Sequence, residues 1–112
     1  MSDLYFEAVI MNYPRLRAII TSKAQAKLLA QRDWYNDQQE GLGDRFYDEI
    51  LDAVAYLEEN YNVPAFDKSS KDVKRYVNRG DFPWLIYYKV YGDHLAVASF
   101  SHPKERPTRK RA

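Results

Sequence analysis

Two histidines and no cysteine are present in this chain. A thiol nucleophile, a thiolate zinc site and a disulfide scaffold are therefore excluded, and two imidazoles argue against a transition-metal site. No P-loop, dinucleotide fingerprint or nucleophile elbow occurs. The residues that remain able to do chemistry cluster in the second half. Lys74, Arg75 and Arg79 fall within six positions, with Tyr76 among them; Tyr88 follows, and His102 is succeeded by Lys104 and Arg106. Arginine presents a planar fork that donates two hydrogen bonds to one phosphate. Imidazole, with an unperturbed pKa of about 6.5, can accept and return a proton. Tyrosine can stack on a base or order a phosphate oxygen. Together these types suit an anionic, phosphate-bearing ligand. The plainer alternative, a solvated strand face and a polar strand end, stays open on these residues alone.

For such groups to meet, the elements carrying them must present one surface. Alternation from Val73 to Asn78 predicts a strand in which Val73, Arg75, Val77 and Arg79 share a face, so both arginines point the same way. Gly80-Asp81 predicts a turn. Trp84 to Tyr91, rich in aromatic and β-branched residues, reads as a second strand, and consecutive Tyr87 and Tyr88 must take opposite faces, one of them core. Gly92-Asp93 predicts a hairpin turn with glycine at positive φ. His94 to Ser101 then alternates Leu95, Val97 and Ser99 against Ala96, Ala98 and Phe100.

Upstream the period is 3.6. Ala24, Leu28 and Tyr35, with Ala30 and Trp34 beside them, predict a helix over 23–39 capped by Thr21 or Ser22, with Trp34 in helix packing. Gly41 suits a left-handed helix end, and Gly43 or Asp44 the next cap. Phe46, Ile50, Ala53, Val54, Leu57 and Tyr61 mark the apolar face of a second helix over 44–60, stopped by Val63-Pro64. The short connection makes the helices antiparallel neighbours. Leu16 to Thr21 reads as a strand. Leu4 to Met11 is apolar and ambiguous between an edge strand, a short helix and an extension that meets a partner. Residues 64–72 read as a polar loop. The expected class is α+β, in the order β-α-α-β-β-β, with a helical hairpin laid on one face of a small, mostly antiparallel sheet.

At 112 residues and 13.2 kDa, one domain over 1–112 is expected, with 1–15 as an N-terminal extension and 103–112 as a basic tail. A hydrophobic share of 46% and an aromatic share of 15% argue against disorder. No apolar run is long enough to span a bilayer and no export signal is visible, so a cytoplasmic location is expected. The net charge of +1 conceals a split: residues 1–65 hold six Lys/Arg and eleven Asp/Glu, whereas residues 66–112 hold eleven and five. One region is built to meet something anionic, or the two halves attract each other within the fold.

The ordered set Trp34-Tyr35, Gly41-Leu42-Gly43 with Phe46, Phe82-Pro83 with Ile86-Tyr87-Tyr88, Gly92-Asp93 and a terminal His102 resembles the RelE/ParE family of toxins over residues 16–106. The resemblance implies the toxin of a type II toxin–antitoxin pair, with a cognate antitoxin as partner in a hetero-oligomer and with no cofactor, metal or membrane. It implies growth inhibition by RelE-like, ribosome-dependent mRNA cleavage or, alternatively, by ParE-like inhibition of DNA gyrase; a non-catalytic antitoxin- or nucleic-acid-binding module is the remaining reading. For metal-independent RNA cleavage, a 2′-hydroxyl attacks the adjacent phosphate. His102, Arg75 and Tyr88 would then be catalytic, and Lys74, Arg79, Lys104 and Arg106 would hold RNA or phosphate. The chain departs from the family's nucleases in having Trp84-Leu85 where several of them carry an arginine, and Asp67 as the sole carboxylate over 62–68.

Overall fold

A computed structural model describes residues 15–62 and 72–103. The expectations for Leu4–Met11, for nearly all of the 64–72 loop and for the tail with Lys104 and Arg106 lie outside the described residues. The elements run β1 (Arg17–Ile20), α1 (Ser22–Gln38), α2 (Leu42–Asn60), β2 (Val73–Val77), β3 (Leu85–Val90) and β4 (His94–Ser101). The sheet order is β1-β4-β3-β2, with β2, β3 and β4 antiparallel and β1 parallel to β4. The expected β-α-α-β-β-β order and α+β class are what the chain adopts. Between the parallel strands β1 and β4 the chain must cross over, and the helical hairpin lies within that connection.

Helix α1 begins where the Thr21 hydroxyl oxygen accepts from the Ala24 amide at 3.2 Å. Only Ala24 and Leu28 of this helix are buried. Trp34 is 54% exposed, against the expectation that it packs inward. Six residues past Leu28, it stands about 240° around the helix, whereas Tyr35 at seven residues returns to the buried side. Gly41 takes φ 85° and opens α2. The cap of α2 comes from α1, because Asn36 Oδ1 accepts from the Gly43 amide at 2.6 Å. A side chain at Gly43 would run into the Arg32 carbonyl, so this glycine sets how closely the helices approach.

The predicted face of α2 is the core: Phe46, Ile50 and Leu57 are fully buried, and Ala53 and Val54 nearly so. Against it the sheet presents Ile86, Tyr88, Leu95, Val97 and Phe100. Phe100 shares the inner face with Leu95 and Val97, contrary to simple alternation. A bulge explains this: Tyr87 pairs with Ser99 and Tyr88 with Val97, leaving Ala98 as the extra residue that shifts the parity of β4. The Gly92-Asp93 turn also differs from expectation. Among the described residues only Gly41 has positive φ, and the hairpin closes with the Tyr91 amide donating to the His94 carbonyl at 2.8 Å.

One carboxylate joins α2 to the β2–β3 connection. Glu49 Oε2 accepts from Asn78 Nδ2 at 2.6 Å and from the Phe82 amide at 2.9 Å, and Oε1 accepts from the Asp81 amide at 3.2 Å. Asn78, nearly buried, also donates to the Phe82 carbonyl at 2.8 Å. A Cβ at Gly80 would collide with this carboxylate. A second carboxylate, Glu58, ties the end of α2 to β1. It accepts from the Ala18 amide at 2.8 Å and from Arg15 Nη2 at 2.7 Å. Burial raises the pKa of Glu58, but the Ala18 amide and the Arg15 guanidinium together outweigh it and hold the carboxyl below its ordinary value.

Two predictions follow from these carboxylates. Replacing Glu49 by alanine strands several donors, so urea unfolding should show a loss of about 1–3 kcal/mol, with Gly80→Ala losing stability by displacing the same carboxylate. The depressed pKa of Glu58 means its stabilising effect is complete above the unfolded value of about 4.3 and is lost as pH falls through the lower folded value. The urea midpoint should therefore drop in that acid range, and Glu58→Gln should flatten the drop.

Candidate binding face of the sheet

The sheet has one face covered by helices and one turned away from them. Register assigns the strand residues. Ala18, Ile20, Leu95, Val97, Ile86 and Tyr88 face the helices, and Lys74 and Tyr76 pair with Tyr88 and Ile86 on that side. The open face carries rows running across the strands. One is Val73, Lys89, Ala96 and Ile19; the next is Arg75, Tyr87 and Ser99; the last is Val77, Leu85 and Ser101. Arg17 pairs with His94 at the rim.

The sequence-predicted site residues are divided by this arrangement. Arg75 is exposed on the open face beside Tyr87. Lys74, its neighbour, faces the opposite way, as period 2 requires. Arg79 is exposed two residues past the end of β2. Asn78 before it faces inward, as alternation requires, and donates to Glu49 and the Phe82 carbonyl. Burial raises the pKa of the Tyr76 hydroxyl, nearby Tyr56 raises it further and Arg79 partly lowers it.

Tyr88 does not reach any ligand surface. It is fully buried, and its hydroxyl donates to the Tyr61 carbonyl at 2.7 Å. Burial, with a smaller contribution from Tyr56, pushes that hydroxyl well above the ordinary tyrosine value, so it neither gives up a proton near neutrality nor meets a base. The open-face aromatic of this strand is Tyr87. His102 follows β4 and sets its ring edge-on to Trp84, with centroids 5.7 Å apart. Trp84 is itself 2% exposed, touches Phe46 and donates from Nε1 to the Tyr35 hydroxyl at 3.2 Å. Lys27 Nζ lies 5.9 Å from the Trp84 ring centroid. His102 therefore belongs to an aromatic cluster under the helices, while Arg75 lies on the other side of the sheet and two strands away, about 10 Å in the pairing direction.

Charge is segregated more sharply than along the sequence. The four strands carry Arg17, Lys74, Arg75 and Lys89 and no Asp or Glu, whereas α2 carries Asp44, Asp48, Glu49, Asp52, Glu58 and Glu59 against Arg45. Arg17, Lys89 and Tyr87 were not singled out from sequence. Their signal was the alternation of Arg17 with Ile19 and of Leu85, Tyr87 and Lys89, but its outward parity needed the register. At the rim, Tyr91 stacks on His94 with centroids 4.8 Å apart, and His94 Nδ1 lies 2.7 Å from Asp93 Oδ1. That hydrogen bond is the main reason the Asp93 carboxyl sits below its ordinary pKa.

Among the described residues, no helix is long and apolar enough to cross a membrane. No family model matches the sequence and no curated protein does. Among solved structures, a chain of the chromosomal ParDE TA (toxin–antitoxin) system from P. aeruginosa is similar, with a TM-score of 0.68 at 19% identity, over 79% of this chain and 96% of that one. Two helices on a four-stranded, mostly antiparallel sheet in this order is the ParE/RelE-like fold.

The buried hydroxyl makes a structural role for Tyr88 testable. Tyr88→Phe should cost about 1 kcal/mol in urea unfolding, from one lost hydrogen bond, and leave any ligand binding at the open face unchanged.

Proposed function

We propose that this chain is the toxin of a two-protein toxin–antitoxin pair, held inactive by a cognate antitoxin, and that it acts by binding a protein target as ParE-like inhibitors of DNA gyrase do. The shared fold supports the toxin role. The observation that carries the choice of mechanism is the separation of Arg75 from His102 by the thickness of the sheet. Metal-independent RNA cleavage asks for a guanidinium and an imidazole on one phosphate, because proton transfer and charge stabilisation act on the same reacting atoms. A binding toxin has no such requirement and needs only a complementary surface. RelE-like mRNA cleavage is the second reading, favoured by Arg75 beside Tyr87 on a face whose ionisable groups are basic.

Two measurements separate these readings. Induced expression of the chain alone should arrest growth, and co-expression of the protein encoded next to it should relieve the arrest. Purified chain should then stall plasmid supercoiling by gyrase, and His102→Ala should retain both toxicity and that inhibition. Loss of toxicity in a folded His102→Ala or Arg75→Ala protein, together with new mRNA ends in cells expressing the parent chain, would overturn the gyrase reading in favour of cleavage. Growth unaffected by the chain would remove the toxin role itself.

A further inference from the structure

The turn end of the β3–β4 hairpin gathers the chain's other imidazole and two cations on the open face of the sheet. Register pairs His94 with Arg17, and Leu95, fully buried toward the helices, puts both of those side chains on the opposite side. Tyr91 stacks on the imidazole from the β3 side, with planes 14° from parallel. Lys89, two residues before it on the open face of β3, sets Nζ 5.6 Å from the Tyr91 ring centroid. Arg17 thus stands on one side of His94, and Tyr91 with Lys89 on the other. The two flanking strands are about 10 Å apart across β4, a span that arginine and lysine side chains close. Among the described residues neither Arg17 nor Lys89 makes an ion pair.

Asp93 decides what the imidazole offers. An ionised carboxylate only accepts, so Asp93 Oδ1, 2.7 Å from His94 Nδ1, keeps a proton on Nδ1. Nε2 is the ring nitrogen left for a ligand, on a side chain 32% exposed. It accepts when the ring is neutral and donates when the ring is charged. A phosphate monoester suits both states, because near neutrality it exists with and without a P–OH proton. Its dianion also has three terminal oxygens, one each for Arg17, Lys89 and His94. A phosphodiester has a single charge and no proton to give to Nε2.

We propose that this end of the hairpin is a binding site for a phosphate monoester, held by Arg17, Lys89 and Nε2 of His94, with Asp93 as the positioning residue for the imidazole. The site is defined by its own residues, so it stands or falls separately from the toxin reading, and its test needs no toxicity.

The full chain is titrated by NMR at neutral pH and constant ionic strength with inorganic phosphate, adenosine 5′-monophosphate and dimethyl phosphate. The His94 ring proton and the amides of Tyr91–Leu95 should shift saturably with phosphate, while His102 stays in place. Dimethyl phosphate should bind at least about tenfold more weakly, and Arg17→Ala and His94→Gln should each weaken phosphate by about the same factor, with unshifted α2 amides reporting an intact fold. Tighter binding of the nucleotide than of inorganic phosphate would support the site with a nucleotide as its source, and equal binding would support it with free phosphate. Imidazole nitrogen shifts should show Nδ1 protonated in the neutral ring of His94, a preference that Asp93→Ala should remove and that a merely structural turn residue would not set. Shifts that do not saturate, equal binding of dimethyl phosphate, binding kept by both variants, or an unprotonated Nδ1 in the parent chain would overturn the proposal.

Discussion

The Glu49 carboxylate is the interaction on which the arrangement of the sheet against the helices depends. Its two oxygens satisfy the Asp81 and Phe82 amides and the Asn78 side chain, three donors of a connection with no regular structure. A connection left unpaired there would bury polar backbone at a cost comparable to a lost hydrogen bond for each group. With it held, Phe82 closes over Phe46 and Tyr35 and Trp84 over Phe46, with ring centroids 5.3–5.5 Å apart. Asn78 faces inward in the alternation of β2, and its side chain joins this carboxylate to the strand.

Glu58 does at the other end of α2 what Glu49 does near its start. It ties the Ala18 amide and Arg15 to the helix, and its own backbone carbonyl accepts from the Leu16 amide at 2.9 Å. β1 is thereby placed parallel to β4, with Arg17 and Ile19 outward. Two acidic side chains of one helix thus orient both outer strands of a sheet whose own charges are all positive. Helix α2 is acidic and the strands are basic.

The separation of His102 from Arg75 has a simple origin. Along β4 the bulge at Ala98 shifts parity once, so Phe100 turns inward and Ser101 outward, and His102 follows on the inner side against Trp84. Without the extra residue, the end of β4 would present the opposite parity. The groups expected to act on one phosphate are therefore separated by a single-residue irregularity.

Element types and order were legible without coordinates, because α2 has a full 3.6-residue apolar period and β2–β4 alternate or carry dense β-branched and aromatic residues. The buried set of α2 was read residue by residue, since an amphipathic helix has one way to face a core. The bulge at Ala98 was not legible, because it depends on how β4 pairs with β3. Which of Tyr87 and Tyr88 is buried, and hence which could meet a ligand, was undecided by alternation, because period 2 specifies that two neighbours differ and not which of them faces the helices. Local periodicity determined the secondary structure and the class of fold. Only the tertiary structure decided which side chains share a surface, because parity and register are settled by packing across the sheet.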